Sequence, residues 1–125
     1  MIESANATFL IVALIETPTA VTNAEAIAAV PGIDALLIGT NDLAAELGIP
    51  GEFGHARIAG AYETVIAACR NHNRWPGMGG VDAEELMQKY IGTGMRLVLT
   101  GSDGGFLMAA AGRRAALARD WGAKH

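Results

Sequence analysis

Phe9-Leu-Ile-Val-Ala-Leu-Ile15 is an unbroken apolar run that stops at Glu16, and Ile33-Asp-Ala-Leu-Leu-Ile-Gly39 is a second run that leads into Asp42. The reading of these two stretches decides the fold. Each has the length of a strand buried on both faces, and each is followed at once by helix-opening residues. Thr17-Pro18 offers an N-cap and a proline at the first helical position. Neighbouring parallel strands here would project both carboxylates from the same end of one sheet. Two carboxylates at one sheet end can hold a divalent metal.

Working outward, strands and helices alternate along the whole chain. Strands are expected at about 8–15, 34–39, 75–80 and 95–101. A helix is expected from Pro18 to about Val30, where Pro31-Gly32 breaks it. Gly39-Thr-Asn-Asp42 turns into a short helix ending near Gly48. A long helix is expected at 56–72, with Ile58, Tyr62, Val65, Ile66 and Cys69 at helical spacing. The glycines of Trp75-Pro-Gly-Met-Gly-Gly80 mark a backbone that another group approaches closely. Asp82 is the expected cap of the next helix, which buries Leu86, Met87, Tyr90 and Ile91. Ser102-Asp-Gly-Gly105 turns into a last helix ending near Trp121. Strands alternating with helices make parallel βαβ units. Periodicity leaves open whether four such units form a small open sheet or half of an eight-stranded barrel.

Composition narrows the function classes. The 125 residues are 51% apolar and 18% charged, with net charge −4. This fits an α/β protein with a buried sheet rather than a disordered chain. No Lys/Arg cluster is present to neutralise phosphates, so a nucleic-acid surface is not expected. Arg113-Arg114 reads as a solvated helix face. The single cysteine, Cys69, excludes an intrachain disulfide; it reads as a small buried hydrophobe in a reduced, cytoplasmic setting. No run approaches the roughly 18 apolar residues of a membrane span, and Met1–Asn6 does not read as a signal peptide.

In parallel α/β folds chemistry sits at the carboxyl ends of strands. Those ends carry Glu16, the Gly39–Asp42 turn, Met78-Gly79-Gly80 and the Gly101-Ser102-Asp103 turn. Asn41 and Asp42 open a helix, where backbone amides suit a carboxylate or phosphate. A metal beside such a site fits a 2-oxo acid, whose carboxylate and keto oxygen chelate it together. Ser102–Gly105 is a second candidate anion loop. The histidines are poorly placed for strand-end catalysis: His55 sits at a loop-to-helix junction, His72 at a helix end and His125 at the terminus.

Ile15-Glu-Thr-Pro18, Val30-Pro-Gly-Ile-Asp34, Leu37-Ile-Gly-Thr-Asn-Asp-Leu43, Leu47-Gly48 and Leu99-Thr-Gly-Ser-Asp103 occur in that order, with Glu16 and Asp42 26 residues apart. Together they resemble the C-terminal half of the HpcH/HpaI aldolase family of the phosphoenolpyruvate/pyruvate superfamily. The resemblance implies that residues 1–125 form a single partial domain, strands five to eight of a TIM-type (β/α)8 barrel. It implies a class II aldolase that reversibly cleaves a 4-hydroxy-2-oxo acid to pyruvate and an aldehyde. Glu16 and Asp42 would ligate magnesium, manganese or cobalt, with no organic cofactor. The pyruvate carboxylate would rest on the amides of Asn41 and Asp42, with Gly79 lining the aldehyde end.

Several departures from the family pattern matter. Leu14 stands where many members carry Gln, and Gly-Thr-Asn-Asp replaces Gly-Pro-Ala-Asp or Gly-Pro-Ser-Asp. The family's base histidine and pyruvate-binding arginine belong to the first half of the barrel, and no residue here matches either. The chain is therefore expected to be inactive alone, with no catalytic residue of its own. Its edges would be covered by a complementary N-terminal half-barrel or by self-association. The last helix (Phe106, Leu107, Met108, Leu117, Trp121) would either pack on its own sheet or dock on a neighbouring subunit, because family members exchange it between subunits. The competing readings are a non-catalytic α/β binding or assembly module that keeps the half-site, and a lyase acting on a CoA thioester, which no residue here favours.

Overall fold

The computed structural model describes residues 8–123, so His125 and the Met1–Asn6 segment lie outside the described residues. Four strands, β1 (Val12–Ile15), β2 (Ala35–Gly39), β3 (Trp75–Gly79) and β4 (Leu97–Val98), form one parallel sheet in the order β1-β2-β3-β4. Sequential order in an all-parallel sheet requires each crossover to pass on the same side. The crossovers carry α1 (Pro18–Thr22) and α2 (Ala24–Ala28), then α3 (Thr40–Glu46) and α4 (Ala56–Asn71), then α5 (Glu84–Thr93); α6 (Asp103–Gly122) follows β4.

Helix starts follow the sequence with informative exceptions. Thr17 Oγ1 accepts from the Ala20 amide at 3.1 Å, with proline in the first turn. The single helix expected up to Val30 is two short ones, because Asn23 (φ −92°, ψ 7°) ends α1 and starts α2. Asp82 is not a cap: α5 begins after Ala83, with no side-chain cap hydrogen bond. Ile91 is exposed rather than part of the α5 core face, where Tyr90 alone is fully buried. Strands β1 and β4 are shorter than expected, four residues and two.

The two faces of the sheet differ. Ile15, Leu36, Ile38 and Met78 point toward the helices and are fully buried with Ile58, Tyr62, Val65 and Cys69 of α4. The register pairs Leu14 with Leu37 on the other face. There Leu14 and Leu99 are 58% and 51% exposed. Every residue of α6 is exposed, so it does not pack on its own sheet. No helix among the described residues is long and apolar enough to cross a membrane.

Candidate functional site

The parallel register builds the site. Ile15 pairs with Ile38, so Glu16 leaves β1 beside Gly39, and Gly39 pairs with Gly79 at the same end of β3. The Glu16 side chain lies over Gly39. A methyl group placed on Gly39 would fall 2.7 Å from Glu16 Oε1 and 2.8 Å from its Cγ. The missing side chain at position 39 is what lets the carboxylate lie across the strand end.

The strand β2 passes directly into α3 at Thr40, and Asp42 lies in its first turn. Gly39 provides no side-chain cap for this helix. Its first amides have no partner within the helix, as at any helix start. The Asn41 side chain rests on Gly80, which has φ +79° and where a methyl group would sit 2.5 Å from Asn41 Nδ2. At Gly79 the nearest group is the Leu99 side chain, 3.1 Å from such a methyl. The glycines of β3 thus do mark close approach, and the groups that approach are Asn41, Leu99 and the Leu37/Leu97 pair beside Gly77.

Glu16, Asn41, Asp42 and Gly79 all line one cavity of about 210 Å³, with Gly39 and Gly80. Its apolar wall is Leu14, Leu37 and Leu99. Leu14 therefore lies in the site. The structure brings every expected metal and substrate residue to this one place. Among the described residues no group of three His, Cys, Asp or Glu side chains gathers. Two carboxylates are enough for magnesium, which keeps several waters and takes one or two protein carboxylates plus substrate.

Other expected features lie elsewhere. His55 Nδ1 accepts from the Arg57 amide at 3.1 Å and caps α4. His72 ends α4 and pairs with Glu25 at 2.8 Å. Neither lines the cavity. In the Ser102–Gly105 loop, Ser102 Oγ accepts from the Gly105 amide at 3.2 Å and Asp103 Oδ1 from the Gly104 amide at 2.8 Å. These amides are occupied by the loop's own side chains, so the expectation of an anion loop there is corrected.

Sequence reasoning missed the group behind the turn. Thr40 is buried, and its hydroxyl meets the Tyr62 hydroxyl at 2.7 Å. A tyrosine in an otherwise aliphatic helix stripe was the available signal, since a buried phenol needs a partner. Burial pushes the Tyr62 phenol from 10.0 up to about 12, against the opposing Thr40 hydrogen bond. It is therefore protonated near neutrality and is no general base. Burial likewise pushes the Cys69 thiol from 9.0 to about 11, so Cys69 is a core residue and not a nucleophile.

Both shifts carry a stability consequence. The folded state holds these protons after the unfolded chain has released them, so stability is complete below pH 9 and falls as pH climbs from 9.0 toward 12. One unit corresponds to about 1.4 kcal/mol, so the thiol alone removes roughly 2–3 kcal/mol across its window. Urea midpoints at pH 8 and pH 11 should differ clearly, and Cys69→Ala should reduce that difference. Equal midpoints in the wild-type chain would contradict both shifts.

Two acids thus stand at the carboxyl end of four consecutive parallel βα units, the strand end at which α/β barrels and open sheets carry their chemistry. The family model described as HpcH/HpaI aldolase/citrate lyase matches residues 1–110. The chain belongs to this family. It is 38% identical over 103 residues to the 4-hydroxy-4-methyl-2-oxoglutarate aldolase cghB of Chaetomium globosum, covering 81% of this chain and 38% of that protein. It is 42% identical over 88 residues to a 4-hydroxy-2-oxovalerate aldolase of Rhodococcus jostii, covering 70% of this chain and 34% of the relative. The HpcH/HpaI aldolase structure from Desulfitobacterium hafniense superposes with a TM-score of 0.82 at 26% identity, over 94% of this chain and 46% of that one. The chain thus spans less than half the length of these relatives.

Proposed function

We propose that this chain carries the metal- and pyruvate-binding half of a class II pyruvate aldolase. The whole protein would reversibly cleave a 4-hydroxy-2-oxo acid to pyruvate and an aldehyde, in the cytoplasm. The observation that carries this reading is the convergence of Glu16, Asp42, Asn41 and Gly79 on one cavity at the carboxyl end of the sheet. The aldolase names of the relatives support it.

The residues fit a divalent ion such as magnesium, manganese or cobalt. Glu16 is cradled over a glycine that a side chain would fill, and Asp42 faces the same cavity from the next strand end. When bound, the ion supplies Lewis-acid stabilisation of the pyruvate enolate. Glu16 and Asp42 hold the ion. The amides of Asn41 and Asp42 hold the pyruvate carboxylate at the start of α3. Gly79 leaves room for the aldehyde end, and Leu14, Leu37 and Leu99 give that wall an apolar lining.

The cavity contains no His, Lys, Arg or Tyr among its lining residues. We therefore assign proton transfer to a complementary N-terminal half-barrel or a partner chain, since no such group lines the cavity among the described residues. This observation favours a second reading for the chain by itself, binding without turnover.

The test measures pyruvate release from a 4-hydroxy-2-oxo acid, and pyruvate binding, with and without Mn²⁺. The chain alone should bind Mn²⁺ and pyruvate without turnover, and Glu16→Gln should lose both. Release in the complete protein should need metal and be lost in Glu16→Gln. Binding or activity indifferent to metal and to Glu16→Gln would sink the proposal.

A further inference from the structure

The turn that presents Asn41 and Asp42 is tied from behind by a buried hydroxyl pair and a stacked pair of tyrosine rings. Thr40, the first residue of α3, is fully buried. Its Oγ1 lies 2.7 Å from the Tyr62 hydroxyl on α4. The Tyr62 ring stacks on Tyr90 of α5, with centroids 4.0 Å apart and planes 24° from parallel. The Tyr90 hydroxyl donates to the Phe53 carbonyl at 2.6 Å, in the connection between α3 and α4. The first turn of α3 is thereby linked to α4, to α5 and to the loop that follows α3.

An apolar pair could fill this volume. A buried hydroxyl pair adds modestly to stability, yet it is directional, and a partner left unsatisfied there is costly. Direction is what the site needs. Asp42 follows Thr40 by two residues on a helix of seven, so rotating the first turn re-aims both its carboxylate and the Asn41 amide. Productive sites tolerate errors of only about 0.5 Å in such groups.

We propose that Tyr62 is a positioning residue. Through its hydroxyl bond to Thr40 it sets the orientation of the Asn41–Asp42 turn for metal and pyruvate. The inference rests on the proposed role of that turn. Tyr62 is not among the residues lining the cavity, whereas its partner Thr40 is, so Tyr62 acts on the site only through Thr40.

The test uses Tyr62→Phe, which keeps the ring on Tyr90 and removes only the hydroxyl. Pyruvate affinity is measured in the presence of Mn²⁺, and hydrogen exchange at the Leu43 and Ala44 amides, whose helical acceptors are the Gly39 and Thr40 carbonyls. Tyr62→Phe and Thr40→Val should each weaken pyruvate binding roughly tenfold, and the double variant should be no worse than either. Thr40→Ser, which keeps the hydroxyl, should bind within about twofold of wild type. Val65→Ala separates positioning from stability. It truncates the same buried face of α4 and should lower the melting temperature at least as much while leaving affinity unchanged. Affinity unchanged in Tyr62→Phe, or lowered equally in Val65→Ala, overturns the inference. If wild type itself binds no pyruvate with Mn²⁺, the proposed function fails. Exchange then decides the tether: faster exchange at Leu43 and Ala44 in Tyr62→Phe supports it, and unchanged exchange overturns it.

Discussion

Gly39→Ala is expected to remove divalent-metal binding while leaving the fold in place. The added methyl would sit 2.7 Å from Glu16 Oε1 and 2.8 Å from Glu16 Cγ. A clash with Oε1 alone could be relieved by turning the end of the side chain. The Cγ contact cannot, because Cγ moves only if the side chain leaves its rotamer at the first torsion. The carboxylate then swings away from Asp42, and a two-carboxylate site is left with one. The backbone itself permits alanine, since Gly39 has φ −81° and ψ 89°. Mn²⁺ affinity should fall on the order of 100-fold, comparable to losing a group that orients a ligand. The melting temperature should move by only a few degrees. Free Mn²⁺ measured by electron paramagnetic resonance during titration, beside a circular-dichroism melt, reads both. Gly60→Ala is the control: apart from the adjoining backbone of α4 itself, nothing lies within 4 Å of the added methyl, and α4 should gain slightly in stability. Normal Mn²⁺ affinity in Gly39→Ala would mean that Glu16 does not hold the ion.

Leu36→Ala and Leu14→Ala are expected to differ sharply, although the two leucines lie on adjacent strands of one sheet. Leu36 is fully buried against the helices, whereas Leu14 is 58% exposed on the opposite face. Truncating Leu36 removes its burial and leaves a cavity between the sheet and α4, costing roughly 3–5 kcal/mol. That is a large part of the 5–15 kcal/mol typical of a domain. Leu14→Ala in the same chain should cost less than about 1 kcal/mol. Urea unfolding of both variants measures the contrast. A cost at Leu14 equal to that at Leu36 would show that the open face is covered in solution, by another copy of the chain. Repeating the pair in a complete protein should raise the Leu14 cost alone, since a closed barrel fills that face with side chains.

Much of this arrangement is legible in residue order. Apolar runs ending at Ile15 and Gly39 give β1 and β2, and Thr17-Pro18 gives the start of α1. The helical spacing of Ile58, Tyr62, Val65, Ile66 and Cys69 gives the buried face of α4. Local signals failed where two forms of them competed. Asp82 has the chemistry of a cap, but α5 starts one residue later, and Asn23 divides a helix that alanine content alone would continue. The Ser102 loop has the glycines of an anion site, yet Ser102 and Asp103 take up its amides. A sequence states which polar groups are near, not which of them are already bonded.

By itself the sequence determined that Glu16 and Asp42 stand at carboxyl strand ends, because strand length and helix-start chemistry are local properties. It also determined family membership through ordered motifs spread along the chain. Only the tertiary structure decided that the two acids share a cavity, since that depends on the register of β1 on β2. Tertiary structure also decided what occupies the space at each glycine: Glu16 at Gly39 and Asn41 at Gly80. The Thr40–Tyr62 contact is of the same kind. Its partners are 22 residues apart and meet only because α4 crosses back over the sheet. Such contacts are long-range, and residue order alone does not specify the distance at which a side chain from one element meets another.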